Sequence, residues 1–407
     1  MLLIFNFFVI LLQILIISFA LLITWAIYCD LSKSEIPPGI DQPMKLRILN
    51  WFLILASFLG KILETLHLCT EIHFYRYILE GKRMGEDPKL DMRDLVFEDI
   101  PVRVYQPRGP RERRGVIYFH GGSWMFGSIN SYDHLCRYIA KESDSVVLSV
   151  GYHLAPEEKY PSQYKDCLTA SIHFMKTAKD YGVDPACIVI SGDSAGGNIA
   201  ASVCQALVTR SGIPRPFAQI LIYPGLQAID FNLPSYQQNR AVPILYRENV
   251  IGAALQYLNK DLSVVERIMQ GCHVPRDIRM RFGKWISSEN IPSEFKVRGY
   301  KPPTAVSYED NLYEVVKQAL EPTFSPLMVD DVVVGQLPKT CIVTCEYDVL
   351  RDDGILYKKR LEDNRVPVTW YHIENGFHGV ISLFDGFLSF PSGKKGVDNI
   401  ITFLKDL

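Results

Sequence analysis

Between Met1 and Cys29 the sequence has no charged side chain, and nothing basic precedes that stretch. A helix of about 29 residues would run about 43 Å at ~1.5 Å per residue, against a hydrocarbon core of ~30 Å, so the stretch is expected to span a membrane. A cleaved signal peptide fits less well, because its apolar region is typically ~7–15 residues long behind a basic start. Other absences exclude whole classes. No Asn-x-Ser/Thr acceptor occurs, so sugar attachment does not report which side the chain faces. The nine cysteines are scattered and form no Cys-x-x-Cys pair, which removes the usual zinc spacing and a dense disulfide framework. Cys341 and Cys345, in an expected strand, would lie about 13 Å apart at ~3.3 Å per residue, too far to bond each other. Against 45 acidic side chains there are 43 Lys and Arg, so there is no basic excess and no nucleic-acid partner is expected. The 407 residues show no repeat, and with 48% hydrophobic and 22% charged residues they have ordinary globular composition.

Only Asp30, Lys33 and Glu35 follow the uncharged stretch closely, so the positive-inside rule leaves its orientation open. A second apolar run, Ile48 to Leu59, is about 12 residues long, short for a span and better suited to a buried or interfacial helix. After the Pro37-Pro38-Gly39 turn, residues 40 to 90 read as mostly helical and amphipathic. Val96 to Tyr105 reads as paired short strands, and Arg108 to Arg114 as a solvated basic loop. From Gly115 onward, short runs rich in β-branched residues alternate with helical patterns. The expected strands are Gly115–Phe119, Ser145–Val150, Cys187–Ile190, Ala218–Tyr223, Thr340–Thr344 and Val368–His372. Such alternation implies an α/β fold, with a mostly parallel sheet covered by helices on both faces. One interval, residues 225 to 325, is too long for a structureless connection and is expected to form a helical cap. The chain thus divides into a membrane helix (1–29), a linker with N-terminal cap elements (30–95), and a catalytic domain (96–407) carrying the cap insertion.

The strongest local signal is Gly192-Asp193-Ser194-Ala195-Gly196, set between an apolar strand and a helical stretch. Small residues there permit the sharp turn that lifts Ser194 above the sheet edge as a nucleophile elbow. Without those flanks the pentapeptide would be an ordinary Gly-rich turn. A serine hydroxyl needs a base, and the base needs an orienting group. His378, in the loop Glu374-Asn-Gly-Phe-His-Gly379, follows the last strand and is the better base; His372 lies within that strand. Among Glu346, Asp348, Asp352 and Asp353, Asp348 sits between strand end and helix start and is the orienting acid, with Asp352 in reserve. Asp352 and Asp353 read first as helix-start residues complementing the dipole. The order Ser194, Asp348, His378 is that of an α/β-hydrolase. Developing oxyanion charge would be met by the amide of Ala195 and by the loop His120-Gly121-Gly122-Ser123-Trp124, where Gly122 and Ser123 are the foremost donors and Gly121 a further one. This chemistry calls for no metal and no organic cofactor.

Five segments carry a resemblance to a known family: His120-Gly-Gly-Ser-Trp124, Tyr152-His-Leu-Ala-Pro-Glu157, Gly192-Asp-Ser-Ala-Gly-Gly-Asn198, Asp348-Val-Leu-Arg-Asp352 and Gly376-Phe-His-Gly379. With the apolar N-terminus, they make nearly the whole chain resemble the hormone-sensitive-lipase group of α/β-hydrolases, and within it the arylacetamide deacetylase family. The resemblance implies a single-pass endoplasmic-reticulum protein of type II orientation, with a lumenal catalytic domain that hydrolyses carboxylic esters or aryl amides of lipophilic substrates. Two positions depart from the family pattern. Ser123 stands where a third glycine is usual, and Met125 where relatives can carry a cysteine, which leaves Cys345 without that partner. Ser123 alone invites a second reading, a lipid-binding protein that kept the fold and lost catalysis.

Overall fold

The computed structural model describes residues 2–81, 84–303 and 307–407. Met1 of the expected membrane helix, residues 82–83 of the linker and residues 304–306 of the cap lie outside the described residues.

Eight strands form one sheet: β1 (Leu90–Phe97), β2 (Ile100–Pro107), β3 (Arg113–Phe119), β4 (Val146–Val150), β5 (Val183–Asp193), β6 (Ala218–Ile222), β7 (Lys339–Tyr347) and β8 (Val368–Phe377). Their order is β1-β2-β4-β3-β5-β6-β7-β8. The β1–β2 hairpin joins β4 antiparallel, and every other pairing is parallel. The first strand starts at Leu90, ahead of the expected Val96, because the hairpin needs both arms paired from Leu90↔Pro107 to Phe97↔Ile100. The expected domain boundary at residue 96 therefore falls inside β1.

Alternation along the strands builds two cores. Ile117, Phe119, Leu148, Ile190, Leu221 and Ile342 face one way, against α5 (Ser162–Thr177), α6 (Ala195–Val208) and α13 (Arg351–Asp363). Val116, Tyr118, Val147, Val189, Ile220 and Val343 face the other, against α4 (Asp133–Ser143) and α14 (Pro391–Asp406). Helices on both faces leave no wet side, which is why these strands read as continuous apolar runs. The long interval after β6 folds as short helices: α7 (Pro234–Gln238), α8 (Arg247–Tyr257), α9 (Val265–Gln270), α10 (Arg276–Phe282) and α11 (Asp310–Val316), with α12 (Asp331–Val334) leading into β7. Residues 108–112 of the basic loop are exposed as expected, whereas Arg113, the first residue of β3, is buried and donates to the carbonyls of Arg108, Gly109 and Arg111.

Three helices precede the sheet: α1 (Leu2–Lys33), α2 (Pro43–Thr65) and α3 (Glu71–Leu79). From Ile4 to Lys33, α1 is long and apolar enough to cross a membrane, and its apolar window is unburied. The length argument against the second run does not hold, because α2 extends to 23 residues by recruiting flanking polar positions. It packs antiparallel against the last turns of α1, with the Trp25 and Phe58 rings 4.7 Å apart. Asp30, fully buried at this crossing, accepts hydrogen bonds from Asn50 (2.7 Å), Arg47 (2.8 Å) and Trp51 (3.0 Å).

Candidate active site

Ser194 directly follows β5 and caps α6, with φ 54° and ψ −119°. A non-glycine residue there costs of order 1–3 kcal/mol, which persists only where the surroundings dictate it. Two glycines make the turn possible. A Cβ on Gly192 would overlap the Gly196 carbonyl, and one on Gly196 would overlap the carbonyls of Phe119 and His120. The Ser194 amide donates to Ile222 O at 2.9 Å, tying the elbow to β6.

β7 and β8, adjacent in the sheet, deliver the other two groups from their C-terminal ends. Ser194 Oγ lies 2.8 Å from His378 Nε2, and His378 Nδ1 lies 2.8 Å from Asp348 Oδ2. Asp348 is held in turn by the Leu350 amide, which donates to its other oxygen at 2.8 Å. All three side chains are largely buried, Asp348 almost completely so. The structure thus brings Ser194, Asp348 and His378 into one chain of hydrogen bonds. The reserve acid is occupied elsewhere: Asp352 accepts from the Ser235 amide at 2.6 Å and from Arg351 at 2.9 Å. His372 instead contacts Thr344 Oγ1 at 3.0 Å and Glu346 at 3.3 Å. Burial pushes the Glu346 carboxyl up, but His372, Arg351 and Arg298 outweigh it and hold the group down at about 2.

The loop after β3 carries three successive positive φ values: Gly122 at 113°, Ser123 at 57° and Trp124 at 59°. Among the described residues, the amides of Gly122, Ser123 and Ala195 have no protein acceptor, and Ser123 and Ala195 line the same cleft as Ser194. Gly121 departs from its expected role. Its amide donates to Asp193 Oδ1 at 2.9 Å and to Tyr132 Oη at 3.1 Å, so it anchors the loop and is not free for an oxyanion. His120 is a neutral buried ring, its imidazole pushed down to about 4 by burial.

Several supporting residues escaped the sequence reading. Asp193 accepts from Tyr118, Tyr132 and the Gly121 amide, each at 2.9 Å, and so joins the elbow to the loop after β3. Burial pushes its carboxyl upward, while those three donors act in the opposite sense. The available signal was a carboxylate at the end of an otherwise apolar strand, where burial demands partners. Asn198 donates to the carbonyls of Gly225 (2.8 Å) and Phe324 (2.7 Å), the two ends of the cap insertion.

The cap roofs a mainly apolar cleft enclosing about 50 Å³ of water-accessible space, lined by Ser123, Trp124 and Ser194 below and by Phe231, Leu245, Val250 and Phe324 above. Trp124 stacks on Tyr257 at 4.5 Å. Among the described residues, no group of three or more His, Cys, Asp or Glu side chains is arranged to hold a metal ion.

A parallel sheet with a serine elbow at a strand end and a cap over it defines an α/β-hydrolase, and a sequence profile described as alpha/beta hydrolase fold matches residues 116–270 and 289–382. The chain belongs to that family, and within it to the arylacetamide deacetylase-like carboxylic ester hydrolases. It is 44% identical to arylacetamide deacetylase-like 4 of Homo sapiens over 94% of this chain and 95% of that one. It is 36% identical to neutral cholesterol ester hydrolase 1 of Mus musculus, over 91% and 94%. Among solved structures it is similar to EstE1, a thermostable carboxylesterase cloned from a metagenomic library, with 26% identity, a TM-score of 0.61 and coverage of 83% and 95%.

Proposed function

We propose that the protein is a membrane-anchored serine hydrolase that cleaves carboxylic esters, and aryl amides, of lipophilic substrates through a Ser-His-Asp triad and an acyl-enzyme. The observation that carries this reading is the unbroken path Ser194 Oγ, His378, Asp348, with 2.8 Å at each step. Nδ1–H of His378 donates to Asp348, which leaves Nε2 to accept the Ser194 hydroxyl proton. Ser194 Oγ then attacks the substrate carbonyl carbon, and the tetrahedral oxyanion is received by the amides of Gly122, Ser123 and Ala195. His378 returns the proton to the departing alcohol or amine, and the acyl group stays on Ser194. A water molecule, deprotonated by the same imidazole, releases the acid and restores the serine.

The apolar cleft supports acyl or alcohol groups without charge. α1 supports an anchor, and the family resemblance supports an endoplasmic-reticulum membrane with the catalytic domain in the lumen. Leu59, Ile62 and Leu66 are exposed at the end of α2 beside α1, which suits that end to the membrane interface. Ser194→Ala is expected to lower hydrolysis of a short p-nitrophenyl ester by about 10⁴-fold or more and to abolish fluorophosphonate labelling. Hydrolysis persisting in that variant, with the thermal midpoint unchanged, would exclude Ser194 as the nucleophile.

A further inference from the structure

The oxyanion loop holds Ser123 and Trp124 at φ 57° and 59°, where side-chain-bearing residues are disfavoured, so its shape must be imposed by neighbours. One end is tethered by Asp193 through the Gly121 amide. At the other end the Trp124 carbonyl accepts the Ala155 amide at 2.9 Å. A single side chain from outside the catalytic sheet closes that second tether. Arg76 of α3 donates from Nε to the Met125 carbonyl at 2.7 Å and from Nη2 to the Ala155 carbonyl at 2.6 Å. Its two terminal nitrogens also grip Glu157 at 2.8 and 2.9 Å, which fixes the plane of the guanidinium. Four donors in a rigid fork therefore bridge two backbone segments whose mutual position sets where the Gly122 and Ser123 amides point. A lysine ammonium, with three rotatable donors on one atom, could not hold all four of these contacts in a fixed plane. α3 is itself tied to the membrane-proximal helix, because Tyr75 donates to the Leu53 carbonyl of α2 at 2.6 Å.

We infer that Arg76 is a positioning residue for the oxyanion loop, through which the N-terminal helices α2 and α3 take part in transition-state stabilisation. This rests on the serine-hydrolase reading above, and the test separates the two. The full chain is assayed in detergent micelles, with active sites counted by fluorophosphonate titration so that kcat refers to folded enzyme. In Arg76→Ala, kcat per titrated site is expected to fall about 10–100-fold with KM within about threefold, because the loss falls on the transition state. The inhibition constant of a trifluoromethyl ketone, which forms a tetrahedral oxyanion adduct on Ser194, is expected to rise by a similar factor. Glu157→Gln, which keeps the fork but loosens its aim, is expected to show the same pattern more weakly. A purely structural role would lower the number of titrated sites and leave kcat per site and ketone affinity alone. Values within twofold of wild type overturn the inference. Should Arg76→Ala yield no titratable protein, Glu157→Gln decides it by the same two readouts. A wild-type chain that titrates no site at Ser194 overturns the hydrolase reading, and the positioning role with it.

Discussion

Asp353 shows how strongly surroundings outweigh residue type. It sits in the first turn of α13, where a carboxylate complements the helix dipole, and it is also fully buried, accepting hydrogen bonds from the Leu226 amide (2.8 Å) and Gln227 (3.0 Å). Burial pushes it from 3.8 up to about 7, although those donors pull the other way. The native protein therefore holds a proton that the unfolded chain has lost, in the window from about pH 4 to 7. Stability contributed by this group falls as pH rises through that window and is level above it. The expected outcome is that Asp353→Asn flattens the decline of thermal midpoint between pH 4 and 7, whatever its effect on the absolute midpoint; a slope unchanged from wild type would refute the assignment. Glu346 has the opposite sign, with stability present above about 4.5 and lost as pH falls toward 2. Ser194, His378 and Asp348 were legible because the elbow and strand-end loops announce themselves locally. Asp193, Asn198 and Arg76 were not, because each acts on a partner far along the chain.

The cap insertion and the central sheet meet at α6, and Asn198 is the peg. One amide nitrogen serves both Gly225 and Phe324, so residues at the two ends of the insertion converge on the helical turn that follows Ser194. Ser202, one turn further along, donates to the Thr323 carbonyl at 2.9 Å and extends the seam. Asn198→Ala leaves one buried and one partly buried carbonyl without their donor and is expected to destabilise the protein by about 1–3 kcal/mol. Limited proteolysis should then cut first between residues 225 and 325; uniform cleavage elsewhere would place the seam in another contact. Strand and helix types along this region followed from periodicity, but their ends did not. β8 runs on to Phe377, past the expected end at His372, and α14 begins at Pro391. Pairing with β7 lengthens the strand, and burial of Gly393 and Gly396 against residues 380–383, with Ser392 donating to Asp41, recruits the helix's first turns.

The polypeptide as a whole joins an apolar rod to the hydrolase domain through polar contacts at the rod's C-terminal end: Asp30 is held by α2, Ser34 pairs with Tyr246 at 2.7 Å, and the Glu35 amide donates to Ala241 O at 2.8 Å. Asp30 is the first charge after the apolar stretch, and its three donors on α2 fix the direction in which the rod leaves the domain. From Ile4 to Leu21, about 18 residues and ~27 Å of helix, the described side chains are all exposed, a length close to the ~30 Å of a bilayer core. In sealed microsomes the protein is expected to resist alkaline carbonate extraction. Residues 30–407 should survive added protease until detergent opens the vesicle; digestion without detergent would put the catalytic domain on the cytoplasmic side.

Local chemistry settled the class of this protein. A Gly-x-Ser-x-Gly turn between strand and helix, an acid and a base after later strands, and a glycine-rich loop after an earlier one are short-range patterns, and each demands its own backbone shape. Tertiary structure decided which amides remain free, since hydrogen-bond donors are claimed by whatever acceptor folding brings near. It also decided the length of α2 and the attachment of α3, because helix ends and polar anchors depend on packing partners that no window of sequence contains.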